Sequence, residues 1–186
     1  VSDAKMGLPG ADVNWKERRR NMQDVCSACH AGGWVENWYV QYDGLIELYN
    51  EKYGKPGIEL MAAAAPLLKP VKFSNKIDFI WFELWHHEGR RARHGASMMG
   101  PDYTHWHGTY ELGRNFYTHL LPELEELVEQ GMNSGEVDKV AAAENLTKVI
   151  DEVLNSENHK WYLGLMDPEE KARRDGERKE FTDRYK

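Results

Sequence analysis

Two cysteines and a histidine at a fixed spacing carry the most specific chemistry in this chain. They lie in the run Cys26-Ser27-Ala28-Cys29-His30, and the 186-residue sequence contains no other cysteine. C-x-x-C-H is the attachment signature of a c-type haem, in which both thiols add to the porphyrin vinyl groups and the adjacent imidazole binds the iron. Two intervening residues let both sulfurs reach one porphyrin edge. The motif therefore predicts one haem c, held by Cys26, Cys29 and His30, with His30 as an iron ligand.

Three other interpretations of the two cysteines are open. A thioredoxin-like redox dithiol needs a βαβ context, which the sequence pattern does not show. Half of a zinc site needs a second pair of ligands at the spacing found in zinc fingers, and the sequence does not contain that pair. The third interpretation is chance. Because both cysteines of the chain lie in the motif, the haem interpretation is favoured.

A second group of chemically active side chains follows an apolar helical stripe in the run His86–His94. At about 100° per residue, five positions share one helix face: Ile80, Leu84, His87, Arg91 and His94. The inward-facing stripe is therefore predicted to continue with two imidazoles and a guanidinium. A haem iron would bind an imidazole, and a haem propionate would pair with the guanidinium. His94 is predicted to be the distal ligand of a bis-histidine haem, either this one or a neighbouring one. His87 is the second choice, and Arg91 is predicted to face a propionate, whereas His86 is expected to point elsewhere.

Composition limits the classes of partner and the compartment. The net charge is −7 and the pI is about 5.6, which argues against a nucleic-acid partner. No apolar run approaches the roughly 20 residues of a membrane span. The first ten residues show no basic start followed by an apolar stretch, so no signal peptide is predicted there. Since c-type haems are attached outside the cytoplasm, we expect a periplasmic or equivalent compartment, and a chain that is a mature form or a segment of a longer protein.

Hydrophobic periodicity predicts an all-α chain, because neither strand alternation nor a repeat is found. Residues 1–14 are predicted to be a loop, and the first helix is predicted to begin near Trp15 and to run into the cysteine motif. After a turn at Gly32-Gly33, a second helix is predicted over 34–53, closed by Gly54, Pro56 and Gly57. A short helix is predicted over 59–68.

The second half of the chain is predicted to consist of longer helices. Asn75, with Asp78 three residues later, predicts a helix start. The next helix is expected to open at Tyr103 and to be interrupted or kinked at Pro122. An apolar stripe then predicts a helix that pairs with its neighbour or with another subunit: Leu146, Val149, Ile150, Val153 and Leu154. The last helix, capped at Asp167, is almost wholly charged and is expected to be solvated.

Two regions are predicted from these patterns. Residues 1–74 form a haem-binding region that contains the cysteine motif. Residues 75–186 form a long-helix region, which carries the distal histidine and folds as a helical bundle.

The order of these motifs resembles a known family. C-x-x-C-H, the helix that ends in Trp85–Gly95 and the run Met98–Gly108 are similar to the C-terminal part of octahaem hydroxylamine oxidoreductases. The resemblance is closest to the forms from anaerobic ammonium-oxidising bacteria, which include hydrazine dehydrogenases. It covers nearly the whole chain, is specific over 85–110 and is loose after about residue 125.

The resemblance implies a larger assembly. Family members carry eight haems, so the single motif here would hold the last haem of a longer polypeptide. Family members are homotrimers, whose C-terminal helices pack at the trimer axis. One tyrosine of each subunit bonds covalently to the catalytic haem of its neighbour, and Tyr103 is the matching position. Without the resemblance, Tyr103 would be interpreted as a packed tyrosine with a bonded hydroxyl.

The function that the resemblance implies is oxidation of a small nitrogen compound. The cross-link distorts the porphyrin and favours removal of electrons from the substrate. The substrate would be hydroxylamine, giving nitric oxide, or hydrazine, giving dinitrogen, and the compartment would be the periplasm or the anammoxosome lumen. Electrons would leave through bis-histidine haems to a redox partner such as a small cytochrome c. The alternatives are a monohaem electron carrier and a structural trimerisation module with a passenger haem.

Two further histidines close to Tyr103 are candidates for proton transfer. His105 and His107 are two residues apart, so on a regular helix they cannot both face one site. One of them is predicted to approach the active site as a proton acceptor. Asp102 is a candidate for the same role, although a helix cap is favoured for it.

Overall fold

The computed structural model describes residues 13–185, which form six helices and no strand. The all-α class predicted from periodicity is therefore confirmed. The loop predicted for residues 1–14 lies almost wholly outside the described residues. None of the described helices is long and apolar enough to cross a bilayer.

The first two helices hold the cysteine motif between them. Helix α1 is Trp15–Ser27, and Asn14 caps it by accepting backbone N–H bonds from its first turn. Helix α2 is continuous: α-helical Gly32–Tyr49, a π-helical turn at Asn50–Gly54, and α-helical Lys55–Ala64. A 3₁₀ turn follows at residues 65–67. The predicted turn at the paired glycines is wrong, because both glycines belong to the first turn of α2.

The next two helices also contain π turns. Helix α3 comprises Lys76–Phe82, a π turn at Glu83–Glu88, and Gly89–Ser97. Helix α4 runs from 101 to 132 in five consecutive segments: Pro101–Thr104, π-helical His105–Tyr110, Glu111–Asn115, π-helical Phe116–Leu120, and Leu121–Met132. The predicted start of α3 is confirmed, since the Asn75 N–H donates to Asp78 Oδ2 at 3.2 Å.

Two helices complete the described chain. Helix α5 is Val137–Leu154, and helix α6 is Pro168–Arg184. The carboxylate of Asp167 accepts two backbone N–H bonds at the start of α6, as predicted, and α6 buries none of its described residues. A 3₁₀ turn at Lys160–Leu163 lies between them.

Two prolines lie inside helices because each follows a π turn. The Lys55 N–H bonds to the Asn50 carbonyl, five residues back, and Pro56 comes next. The Leu121 N–H bonds in the same way to Phe116, directly before Pro122. The wider π turn changes the bonding pattern where the proline N–H is missing and the ring would crowd a carbonyl. The prediction that Gly54, Pro56 and Gly57 close α2 is therefore wrong. Of the two outcomes predicted for Pro122, the interruption of α4 is not observed, because the helix continues to Met132.

The core is formed by α2 to α5. Its fully buried side chains come from each of these helices, and include Leu60, Ile77, Phe116, Leu120, Leu121, Leu124 and Leu146. The predicted stripe of α5 faces this core, and Val149 lies at its edge. Helices α4 and α5 form the predicted hairpin, in which they run antiparallel. They approach closely at Gly131, where an added Cβ would lie 2.8 Å from the Ala143 Cβ.

The chain divides into two compact units between Ile46 and Glu47. In the first unit, the Arg19 guanidinium binds both carboxylate oxygens of Asp43 at 2.7 Å and lies 4.8 Å from the Tyr39 ring centroid. This ion pair and cation–π contact join α1 to α2. Val35 is the only buried residue among the described residues of this unit. The regions predicted as 1–74 and 75–186 are defined by their proposed roles and stay a prediction.

Candidate functional site

The cysteine motif occupies the end of α1 and the turn that follows it. The Cys29 and His30 N–H groups both donate to the Cys26 carbonyl, at 3.2 and 3.0 Å. The backbone of the motif is thus closed into a turn that contains Cys26, Cys29 and His30. Both thiols are free, with Cys26 half-buried and Cys29 exposed. The imidazole of His30 stacks on Trp34 at a centroid distance of 4.1 Å.

The surroundings of the motif fit a large apolar group. Five large apolar side chains of the same unit are exposed: Trp15, Met22, Val25, Trp34 and Val40. Residues 13–46 bury one side chain, so this unit lacks the apolar burial that stabilises a fold. A haem bonded to Cys26 and Cys29 would supply such burial, so the residues present fit the group.

An open cavity of about 720 Å³ lies beside α3 and the start of α4. Its lining combines imidazoles, guanidiniums and one phenol: His86, His87, Arg90, Arg91, His94, Gly95, Met98, Gly100 and Tyr103. Every histidine and the arginine predicted on α3 are therefore brought to one cavity, together with the predicted tyrosine. The lining contributes two guanidinium charges and the nitrogen donors of three imidazoles, which suit an anionic group.

The orientation predicted for this face is wrong. The inward row that contains Leu84 continues through Glu88, Ala92 and Gly95, whereas His87 and His94 are exposed and Arg91 is half-buried. Both rows include Leu84 and have helical spacing, and α4 packs on the row of Glu88, Ala92 and Gly95, not on the row of His87 and His94. His86 was predicted to point elsewhere, but it lines the same cavity as His87 and His94.

Two glycines hold α3 and α4 together beside the cavity. A Cβ on Gly95 would lie 2.9 Å from the Thr104 backbone nitrogen, and a Cβ on Gly108 would lie 2.5 Å from the Ala92 Cα. Such distances are below van der Waals contact, so a larger side chain does not fit at either position. The backbones therefore touch, and this contact sets the position of Tyr103 relative to the α3 face.

Tyr103 lies on the first turn of α4 and is 58% exposed. Its ring centroid is 5.5 Å from that of His107. The His107 Nδ1 lies 3.3 Å from Glu111 Oε1, and its Nε2 lies 3.8 Å from Asp102 Oδ2. The other oxygen of Glu111 accepts from Arg91 at 3.3 Å. The two carboxylates thus flank one imidazole beside the exposed phenol.

A buried carboxyl group lies behind the cavity face. Glu88 is 6% exposed, and its Oε1 accepts an N–H bond of the Asn115 amide at 3.0 Å. Asn115 in turn accepts from the exposed Arg114. Glu88 Oε2 has no hydrogen-bond partner. Sequence reasoning missed this group, and the signal that marks it is its position four residues after the buried Leu84 within a π turn.

A second cavity, of about 590 Å³, lies on the other side of α3 and was not predicted. It is lined mainly by aromatic and basic side chains: Tyr49, Asn50, Gly54, Lys55, Ile58, Trp81, Trp85 and Arg93. Arg93 lies 4.4 Å from the Tyr49 ring centroid and donates to the Gly89 carbonyl at 2.9 Å. Its guanidinium is thus held by its own helix.

No group of three or more His, Cys, Asp or Glu side chains within residues 13–185 is arranged to hold a metal ion by itself. A half zinc site at Cys26 and Cys29 therefore finds no completing ligands in this part of the chain.

Comparison of the chain with protein-family models, with curated proteins and with solved structures found no match. The resemblance to octahaem hydroxylamine oxidoreductases thus stays a prediction that depends on the motifs.

Proposed function

We propose that this chain is part of a multihaem c-type cytochrome that oxidises hydroxylamine to nitric oxide or hydrazine to dinitrogen. The observation that carries the proposal is the exposed Tyr103 at the edge of a cavity lined by three histidines and two arginines. A packed structural tyrosine would be buried, whereas this phenol is presented outwards, as donation to a neighbouring subunit requires. Bound haem would supply the iron that accepts electrons from the substrate.

The chain's own residues would have distinct roles in this function. Cys26 and Cys29 would form thioether bonds to one haem, and His30 would ligate its iron. His94, or His87 from the same cavity face, would be the distal ligand of a bis-histidine haem. Arg91 would pair with a propionate in addition to Glu111, which it already contacts.

Tyr103 would bond to the catalytic haem of a neighbouring subunit in a homotrimer. This protomer would therefore complete its neighbour's active site. Oxidation of hydroxylamine to nitric oxide releases three protons and three electrons, and oxidation of hydrazine to dinitrogen releases four of each. The electrons would pass to a soluble partner such as a small cytochrome c, and the protein would be located in the periplasm or an equivalent compartment.

The decisive experiment is proteolysis of the complete multihaem protein followed by mass spectrometry. A peptide that contains Tyr103 and still carries a haem after digestion supports the proposal. Tyr103→Phe is expected to lower the oxidation rate of both substrates by at least about 100-fold, the scale of removing a group that tunes the reacting centre. Tyr110→Phe, which alters an exposed tyrosine of the same helix, is the matched control and should retain the rate.

The same experiment addresses the electron-carrier alternative. A complete protein with a single haem, no haem-bearing Tyr103 peptide and an unchanged rate of electron transfer in Tyr103→Phe would contradict the proposal and favour a carrier.

A further inference from the structure

The imidazole of His107 is held between two carboxylates of its own helix. His107 lies in the π turn His105–Tyr110, and its imidazole is placed between carboxylates from either side along α4. Glu111 is one turn later and Asp102 precedes the π turn. His105, in the same turn, is exposed and has no such pair of carboxylates among the described contacts.

The two distances assign different roles to the ring nitrogens. At 3.3 Å, Nδ1 is within hydrogen-bond reach of Glu111 Oε1, so Nδ1 carries the proton in the neutral ring and donates it. At 3.8 Å, Nε2 is close enough to Asp102 for an ion pair but is not engaged as a donor. Nε2 is therefore the free acceptor, and a proton added there would face the Asp102 carboxylate.

Arg91 fixes this arrangement from the neighbouring helix. Its guanidinium bonds Glu111 Oε2 at 3.3 Å, and Arg91 itself lines the cavity. The carboxylate of Glu111 thus bridges Arg91 and His107. The charged groups around His107 are Asp102, Glu111 and, through Glu111, Arg91, and the neighbouring titratable side chain is Tyr103.

We infer that His107 accepts protons in the active site of the neighbouring subunit, the same site that Tyr103 completes. The inference rests on the proposed function. His107 Nε2 would accept the proton of a substrate N–H bond, and the electrons of that bond would be accepted by bound haem and passed to the cytochrome partner. The imidazolium is stabilised by both carboxylates, and Asp102, whose side chain is 71% exposed, is in a position to pass the proton to water.

The test compares His107→Ala with His105→Ala in the complete multihaem protein. His107→Ala is expected to lower the turnover of both substrates by about 100-fold, within the usual range for a lost general base, and to alter the acidic limb of the pH–rate profile. Added imidazole is expected to restore at least about a tenth of the rate, because a free base can occupy the vacated space. His105→Ala should retain the wild-type rate and profile.

Two readouts without turnover separate structural effects from chemical ones. The haem-bearing Tyr103 peptide should be recovered from His107→Ala at the wild-type yield, and the unfolding midpoint should be unchanged. Wild-type turnover in His107→Ala, or a loss of turnover that imidazole does not rescue, overturns the inference. If the haem-bearing Tyr103 peptide is recovered in that case, the proposed function still stands. Absence of that peptide from the wild-type protein overturns the proposed function, and the inference with it.

Discussion

His159 donates a hydrogen bond from Nε2 to the Lys52 carbonyl at 2.7 Å, in place of the N–H that Pro56 lacks. Lys52 is four residues before Pro56, so an α-helix would bond its carbonyl to the residue that has no donor. The next carbonyl back, of Glu51, accepts from the Asn158 amide at 3.4 Å. A segment about a hundred residues later in the chain thus satisfies carbonyls that the proline leaves free.

The rest of the His159 ring is equally well satisfied. Its Nδ1 accepts the Tyr117 hydroxyl proton at 2.8 Å, and the ring stacks on Phe116. His159 is fully buried. We therefore predict that His159→Phe, which keeps the ring but removes both bonds, lowers the free energy of unfolding by about 2–4 kcal/mol.

Chemical denaturation of the two variants measures this loss. His119→Phe, at an exposed position of α4, is the control and should change the free energy by no more than about 0.5 kcal/mol. An equal effect of both variants would contradict the assigned role of His159.

Stability should also depend on pH through His159. Burial is the main cause that lowers the pKa of His159 below its ordinary value of 6.5, and the Lys52 ammonium adds to it, whereas the bond to the Lys52 carbonyl opposes it. The unfolded chain then binds a proton more readily than the folded chain. The contribution of His159 to the free energy of unfolding is therefore fully present above pH 6.5, and it declines as the pH falls towards the lowered pKa of the folded state. Burial raises the pKa of the adjacent Tyr53 to about 12, so this phenol stays neutral throughout.

The measurement is the free energy of unfolding between pH 7.5 and pH 5. The wild-type decline should be larger than that of His159→Phe, and the difference between the two curves isolates His159. Parallel curves would show that His159 does not cause the dependence.

The contact of α3 with α4 should not tolerate a methyl group at Gly108. An added Cβ would lie 2.5 Å from the Ala92 Cα, and backbone cannot yield as a flexible side chain can. Gly108→Ala is expected to destabilise by about 2–3 kcal/mol. Gly44→Ala, in α2 with no atom within 4 Å of the added Cβ, should be neutral or stabilise by up to about 1 kcal/mol.

Haem attachment should require both thiols. Co-expression with a c-type haem maturation system should add the mass of one haem to this chain and give a pyridine haemochrome spectrum. Cys26→Ser and Cys29→Ser should each lose the doubly bonded product, since each removes one thioether. Ser27→Ala, between them, should retain it, and an unmodified wild-type chain would contradict the haem interpretation.

The distal histidine should be identified by its effect on spin state. In the complete protein, His94→Gln is expected to convert one low-spin bis-histidine haem to a high-spin form, measured by electron paramagnetic resonance. His119→Gln, on an exposed turn of α4, should leave the spectrum unchanged. The same conversion in His87→Gln instead would move the assignment to His87.

Local features of the chain were determined by the sequence. The caps at Asn75 and Asp167 were predicted because a side chain bonds backbone only a few residues away. The apolar stripe of α5 was predicted because a regular helix repeats every 3.6 residues. The turn geometry of Cys26–His30 likewise follows from five consecutive residues.

The tertiary structure decided which way the α3 and α4 side chains point. Which row of a helix is buried depends on what packs against it: in α3, Glu88 is bonded to Asn115 of α4 and Gly95 lies against Thr104 of α4. The buried row after Leu84 therefore runs through Glu88, and His94 is left on the cavity side. The pairing of Arg91 with Glu111 arose in the same way, because only the close approach of two helices at their glycines brings the two side chains together.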